Sequence, residues 1–141
     1  MMSGKTLTKL CFFLFSFMLV SCAAQYQNQK NTVAHLRQAV DKLWSARIDQ
    51  DWKTLYTLTD KAYQETISQE EFITSGGLKK VLDFEIINIK AVDDKNYEVV
   101  TKMKIEKMGF VLSPLLTEYW LFQSDTGWAL NMTKMFFEKP F

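Results

Sequence analysis

The chain has 141 residues and a formal net charge of +1, and 48% of its residues are hydrophobic. This length suits one domain with one core. The near-neutral balance offers no clustered Lys and Arg for phosphates, so we expect no nucleic-acid partner. His35 is the single histidine, which excludes zinc sites built on paired histidines and disfavours a histidine-activated nucleophile. We therefore predict no metal site and no cofactor.

Residues 1–21 have the layout of an export signal. Lys5 and Lys9 precede an apolar run at 10–20 that is too short for a membrane span. The run ends in Leu19-Val20-Ser21-Cys22, which resembles the lipobox of bacterial lipoproteins. That resemblance implies that the Cys22 thiol receives a diacylglyceryl group, with fatty acids of the palmitate type, and that cleavage follows just before Cys22. The alternative is an ordinary signal peptide with a chance cysteine, although Ser21-Cys22-Ala23-Ala24 offers it no better cleavage site.

A lipobox divides the chain into three parts. Residues 1–21 are then a removable signal peptide, residues 22–31 a polar flexible tether, and residues 32–141 a single domain. Cys11 leaves with the signal and Cys22 is acylated, so we expect no disulfide. The predicted partner is a membrane, reached through the lipid on Cys22. Ala23 stands where an aspartate would resemble an inner-membrane retention signal. In a Gram-negative host, this predicts a place in the bacterial cell envelope on the periplasmic face of the outer membrane.

Three helices are predicted after the tether. The first is amphipathic, is capped by Asn31 or Thr32, and packs through Val33, Leu36, Val40, Leu43, Trp44 and Ile48. Asp51 predicts the cap of a second helix, whose packing side carries Trp52, Leu55, Tyr56, Leu58, Thr59, Ala62 and Tyr63. Ser68 and Glu71 have the spacing of a capping box and predict a short third helix ending at Gly76-Gly77.

Beyond these glycines the apolar period changes to two, which indicates strands. A change of phase predicts a bulge near Ile86-Ile87 in the first strand. The second strand covers 97–106 and carries Tyr97, Val99, Thr101, Met103 and Ile105 on one face. An apolar loop is predicted at 109–114, a third strand at 115–123, and a last strand at 128–133 after a hairpin turn.

Helices followed by antiparallel strands indicate an α+β fold. Four segments carry a more specific likeness: Val40-Asp41-Lys42-Leu43-Trp44, Asp49-Gln50-Asp51-Trp52, Ser68-Gln69-Glu70-Glu71-Phe72, and the hairpin Tyr119-Trp120-Leu121-Phe122…Gly127-Trp128. They resemble the nuclear transport factor 2-like (cystatin-like) superfamily over about residues 33–132. The resemblance implies a cone in which N-terminal helices pack in a curved four-stranded antiparallel sheet. That superfamily includes isomerases, cyclases, dehydratases, transport factors and catalytically silent modules, so it assigns no function.

Aromatic side chains could line the inside of such a cone. The candidates for an apolar pocket are Trp44, Trp52, Tyr56, Tyr63, Trp120 and Trp128. Aromatic residues at helical and strand spacing more often fill a core, and this alternative is the favoured one.

Glu118 is the catalytic candidate, because it shares a strand face with Leu116, Trp120 and Phe122. Apolar surroundings raise the pKa of a carboxyl towards the range of a general base. Ketosteroid-isomerase-like relatives use such a carboxylate with a hydroxyl donor opposite, a part that Tyr56 or Tyr63 could take. The alternative, which we favour, is a cross-strand ion pair with Lys102 or Lys104 on an open sheet face.

Two functions follow from these candidates. The favoured one is a membrane-tethered envelope lipoprotein that binds a small apolar ligand or a protein without catalysis. The other is an isomerase or dehydratase that uses Glu118. The third strand is apolar on both faces, so its outer face, with Leu115, Tyr119 and Leu121, is expected to need a cover. A second copy, an envelope protein, or residues 110–112 folded back could provide it.

Overall fold

The computed structural model describes residues 32–75 and 80–137. The predicted signal peptide, the tether with Cys22, and Gly76-Gly77 lie outside the described residues. The helices are α1 (Val33–Asp49), α2 (Trp52–Thr57), α3 (Lys61–Gln64), α4 (Gln69–Thr74) and α5 (Met132–Phe137). The strands are β1 (Lys80–Ala91), β2 (Asn96–Lys107), β3 (Phe110–Leu112), β4 (Leu115–Gln123) and β5 (Gly127–Leu130). In the described part of the chain, no helix has the length and apolar character needed to cross a membrane.

The first helix forms as its apolar spacing predicts. Thr32 is the N-cap, and its hydroxyl accepts a hydrogen bond from the backbone N–H of His35 at 3.3 Å. Side chains at helical spacing are fully buried along one face: Leu36, Val40, Leu43 and Trp44. Gln50 ends the helix in a left-handed conformation with φ of 57°, a common way to satisfy the last carbonyls.

The single second helix predicted through Tyr63 is wrong. Asp51 caps α2 as expected, but α2 ends at Thr57, and Thr59 forms an isolated β-bridge with Leu130 before α3 begins. The backbone N–H of Leu130 donates to Leu58 at 2.7 Å, and that of Asp60 donates to the Leu130 carbonyl at 3.0 Å. This pairing covers the outer edge of β5, and satisfying an exposed sheet edge explains why helical propensity is overridden here.

The sheet is antiparallel and runs in the order β1-β2-β4-β5. The α+β class and the helices packed against a curled sheet are confirmed. A register shift between Ile86 and Asn88 confirms the bulge predicted near Ile86-Ile87. The loop predicted at 109–114 is wrong, because Phe110–Leu112 pairs with β2 as β3, with Ile105 opposite Leu112. Residues 110–112 therefore lengthen the sheet and do not fold back over its outer face.

The last strand is shorter than predicted. It ends at Leu130, and residues 132–133, placed in that strand by their sequence, begin α5. Asn131 accepts a hydrogen bond from the backbone N–H of Lys134 at 2.9 Å, and Asp60 accepts one from that of Met132 at 2.8 Å. Two side-chain acceptors at one helix start favour a helix over continued strand.

The core lies between α1 and the concave face of the sheet. Its buried members come from the helix and from alternate strand positions, among them Trp44, Val99, Trp120, Trp128 and Leu130. The ring of Trp44 stacks on that of Phe84 in β1, with centroids 5.8 Å apart. The helix thus fills the sheet's curve, and its last turn reaches the open end where the pocket lies.

Candidate functional site

A half-open pocket of about 200 Å³ lies where the last turn of α1 meets the inner face of the sheet. The residues around it come from five elements: Trp44, Arg47, Trp52, Val81, Met103, Ile105 and Leu116. Strand alternation explains the set, since Met103 and Ile105 are two residues apart on β2 and point to the same face. Apart from Arg47, every lining residue is apolar or aromatic.

Glu118 lies beside this pocket but is fully buried and is not part of its lining. Both carboxylate oxygens are engaged. Arg47 Nη1 donates to Oε1 at 2.8 Å, and the indole Nε1 of Trp44 donates to Oε2 at 3.0 Å. The Thr101 hydroxyl makes a longer contact with Oε2 at 3.5 Å. Side chains of both α1 and β2 therefore hold the carboxylate in place.

Burial raises the pKa of Glu118, because removing the carboxylate from water disfavours its charged form. The charge of Arg47 and the hydrogen bonds from Trp44, Arg47 and Thr101 oppose that rise in the pKa. The expectation of a buried acid among large apolar neighbours thus agrees with the surroundings of Glu118. A general base also needs an oxygen within reach of a substrate proton, and both oxygens here face protein donors.

Arg47 is the polar group that the pocket does contain. Its side chain is 19% exposed, and its guanidinium carbon lies 4.3 Å from the centre of the Trp44 ring. The stacking and the ion pair with Glu118 hold the guanidinium in one place. A guanidinium carries five N–H donors, and among the described residues Glu118 is its hydrogen-bond acceptor.

The structure divides the six aromatic pocket candidates. Trp44 and Trp52 line the pocket. Trp120 and Trp128 are buried in the core, where the Trp128 ring packs edge-on to Tyr97 and Phe122. The rings of Tyr56 and Tyr63 both contact Phe72 in α4. Most of these rings thus serve packing.

The two tyrosines do not take the part of a hydroxyl donor opposite Glu118. The Tyr56 hydroxyl donates to the backbone carbonyls of Gln64 at 3.2 Å and Ile67 at 2.9 Å. It lies beside a second cleft of about 140 Å³, whose lining comes from α2, α3, α4 and the end of β4. Within the described part of the chain, the hydrogen-bond partners of Glu118 do not include a tyrosine. This expectation is wrong because α2 and α3 separate and carry both rings towards α4.

The expected pairing of Glu118 with Lys102 or Lys104 is also wrong. Val99 is the residue opposite Glu118 on β2. Lys102 and Lys104 point to the other face of the sheet, since they occupy alternate positions to Thr101 and Met103. There Lys104 lies 3.9 Å from Asp83 of β1. The partner of Glu118 comes instead from the helix.

Arg47 is the site residue that the sequence interpretation missed. On a helical wheel it lies away from the centre of the apolar face and reads as a solvent-exposed charge. Its spacing of three from Trp44 was the available signal, because residues i and i+3 share a helix face. A basic residue one helical turn from a buried tryptophan, together with a single acid on an otherwise apolar strand face, predicts an ion pair of the kind that Arg47 and Glu118 form.

A metal role finds no support in the described side chains. Across residues 32–75 and 80–135, no three His, Cys, Asp or Glu side chains are grouped so that they could hold a metal ion. Asp51, predicted as a helix cap, and Asp60 accept hydrogen bonds from the backbone N–H groups of Thr54 and Tyr63, both at 3.0 Å.

No family model and no curated protein matches the sequence. Solved structures do resemble it. A sec-c motif containing protein from Psychrobacter arcticus has a TM-score of 0.57 at 11% identity, over 68% of this chain. This chain spans 58% of the length of that protein, and the likeness concerns the fold alone. An NTF-2-like protein of unknown function from Shewanella oneidensis MR-1 has a TM-score of 0.47 at 14% identity, over 68% of this chain and 91% of that one. The order of helices followed by an antiparallel sheet agrees with the α+β class predicted from the sequence.

Proposed function

We propose that this chain is a non-catalytic binding module, held at a membrane through lipidated Cys22, that takes small apolar molecules into its pocket. The observation that carries the proposal is the lining of the pocket, in which Trp44, Trp52, Val81 and their neighbours offer apolar surface on several sides. Transfer of an apolar molecule from water to such surface stabilises the complex by about 25 cal/mol for each Å² buried.

The volume of the pocket limits the size of the ligand. An engineered apolar cavity of about 150 Å³ holds one benzene molecule, and sites for drug-sized ligands have about 300 to 1,000 Å³. At about 200 Å³, this pocket accommodates one ring or a short branched chain. A polycyclic substrate of the kind that steroid-type isomerases act on would not fit inside it.

The enzyme alternative rests on Glu118, whose pKa is raised by burial. Its weakness is access, because the donors on Trp44 and Arg47 occupy its two oxygens. For Glu118 to take a proton from a substrate, at least one of these hydrogen bonds would have to break. A binding module requires no such rearrangement, so it is the function we prefer. Turnover of any small apolar substrate that Glu118→Gln abolishes would support the enzyme instead.

The lipid anchor and the envelope location depend on Leu19-Val20-Ser21-Cys22 and Ala23 alone. Both stay proposals, as does a protein partner. The outer sheet face supports such a partner, since Leu115 is 63% exposed and Val111 is 58% exposed. Because β3 lies in the plane of the sheet, it does not cover this outer face. A second copy or another envelope protein is then the remaining candidate for the cover.

The proposal is tested by titrating the full-length chain, labelled with ¹³C at its methionine methyl groups, with toluene. Met103 lines the pocket, so its methyl signal, assigned through Met103→Leu, should shift saturably. Leu116→Trp should fill the pocket and abolish the shift. Leu115→Trp is the matched control, because the neighbouring side chain points to the other face and is exposed. A Met103 signal that does not respond to toluene would contradict the proposal.

A further inference from the structure

The charge at the pocket wall sets the chemistry of its ligand. Arg47 is the charged residue of the lining, and its Nη1 reaches Glu118 behind the wall. Its remaining N–H groups have no acceptor among the described side chains and carbonyls. Because the guanidinium is planar and its donors point along two edges, it can hold one carboxylate at each edge.

The guanidinium is also held in place before any ligand arrives. Trp44 lies against its face at 4.3 Å, and the Glu118 carboxylate fixes one edge at 2.8 Å. A ligand that pairs with Arg47 therefore does not have to order a long flexible side chain, which lowers the entropic cost of binding. The Arg47 side chain is 19% exposed and lines the pocket, so a ligand in the pocket can contact it.

Apolar side chains form the rest of the pocket lining. Met103, Ile105 and Leu116 supply them from the sheet, and Trp52 supplies an aromatic ring from the start of α2. A ligand that satisfies both parts of the site has one apolar group of about one ring and one anionic hydrogen-bond acceptor.

We propose that the pocket takes a small apolar carboxylate, whose hydrocarbon part lies against Met103 and Leu116 and whose carboxylate pairs with the outward N–H groups of Arg47. This inference rests on the proposed binding function and adds the chemical class of the ligand. Charge-assisted bonds to a guanidinium are about twice as strong as neutral ones, so the acid should bind more tightly than a neutral molecule of the same shape.

Phenylacetate and phenylacetamide are the probes, because they share one ring and one length and differ in charge. Each is titrated into the full-length chain, and the Met103 methyl signal reports occupancy. We expect phenylacetate to bind about tenfold more tightly than the amide, which corresponds to about 1.4 kcal/mol. Equal affinity of the two probes would overturn this inference and leave the proposed binding function standing. Binding of neither probe would contradict both.

Variants then test whether Arg47 is the cause. Arg47→Met alone leaves a buried carboxylate without its cation and endangers the fold, so it is combined with Glu118→Gln. This double variant should bind the acid and the amide equally well. Lys104→Met is the matched control, because it also removes one positive charge but lies on the outer face next to Asp83. A preference for the acid that persists in the double variant, or that Lys104→Met removes, would overturn the inference.

Discussion

Arg47 in the last turn of α1 and Glu118 in β4 form an ion pair, with Nη1 2.8 Å from Oε1. The Glu118 side chain is fully buried and the Arg47 side chain is mostly buried, so water cannot readily take the place of either partner. The pair joins the long helix to the middle of the sheet. It also connects the buried Glu118 to the pocket wall, so the same interaction contributes to the fold and to the candidate site.

Removing one partner of this pair should destabilise the fold more than removing both. We expect Arg47→Met to lower the free energy of unfolding by about 3 kcal/mol, because a buried carboxylate loses its cation. Arg47→Met with Glu118→Leu should lower it by less than the sum of the single changes. Urea unfolding of the full cycle measures the coupling. The exposed pair Lys104 and Asp83, 3.9 Å apart, is the control and should couple by less than about 1 kcal/mol; equal coupling in both cycles would contradict this account.

The raised pKa of Glu118 predicts a stability that depends on pH. Because the folded state holds the proton more tightly than the unfolded chain, this residue's contribution is complete below the unfolded pKa of about 4.3. It is lost as the pH rises through the folded pKa. The free energy of unfolding of wild type, minus that of Glu118→Gln, should therefore fall as the pH rises above about 4.3. Carboxyls with a lowered pKa, such as Asp51 and Glu71, act oppositely but cancel in this difference. A difference that rises with pH would refute the prediction.

Two buried tryptophans should respond differently to the same substitution. Trp44 and Trp120 are both 0% exposed, but the indole N–H of Trp44 donates to Glu118, whereas that of Trp120 has no acceptor among the described residues. Both changes to Phe remove similar volume, and only Trp44→Phe removes a donor from the carboxylate. We expect Trp44→Phe to cost about 1 to 2 kcal/mol more than Trp120→Phe. Thermal unfolding compares them, and an equal loss would show that the Trp44 hydrogen bond adds no stability.

Substitution of Cys22 tests the lipobox prediction. Cys22→Ser should stop acylation and leave an uncleaved precursor, since the lipid is attached to that thiol. Metabolic labelling with radioactive palmitate and fractionation of membranes measure the two effects. Cys11→Ser is the matched control and should be labelled and processed like wild type. A Cys22→Ser protein that is processed normally and still partitions with membranes would show that the anchor lies elsewhere.

The exposed outer face predicts self-association. Leu115 and Val111 lie on the same face as the half-buried Tyr119. Lys134 of α5 lies over the Tyr119 ring at 4.2 Å, so we expect contact through the uncovered end at Leu115 and Val111. Sedimentation of the full-length chain should show a dimer that Leu115→Asp splits without unfolding. Thr117→Asp, at an exposed position of the same strand face, is the control. It should leave the dimer intact if the contact is confined to Leu115 and Val111. A clean monomer at tens of micromolar would leave a foreign partner as the cover.

Local patterns determined much of this protein. Helical spacing from Leu36 to Trp44 fixed the buried face of α1, and alternation in β2 and β4 fixed which side chains point inward, Glu118 among them. Both follow from the geometry of a single element. The capping signals at Asp51 and Ser68 were reliable for the same reason, because a cap acts within three residues.

Only the tertiary structure decided which elements meet. It opened the second helix at Leu58–Asp60 to cover the edge of β5, made a strand of Phe110–Leu112, and began α5 on the carboxylate of Asp60. It also turned Arg47 inward to Glu118, from 71 residues away along the chain. No local period encodes that pairing, because the attraction between two charges depends on the distance and burial that the finished fold gives them.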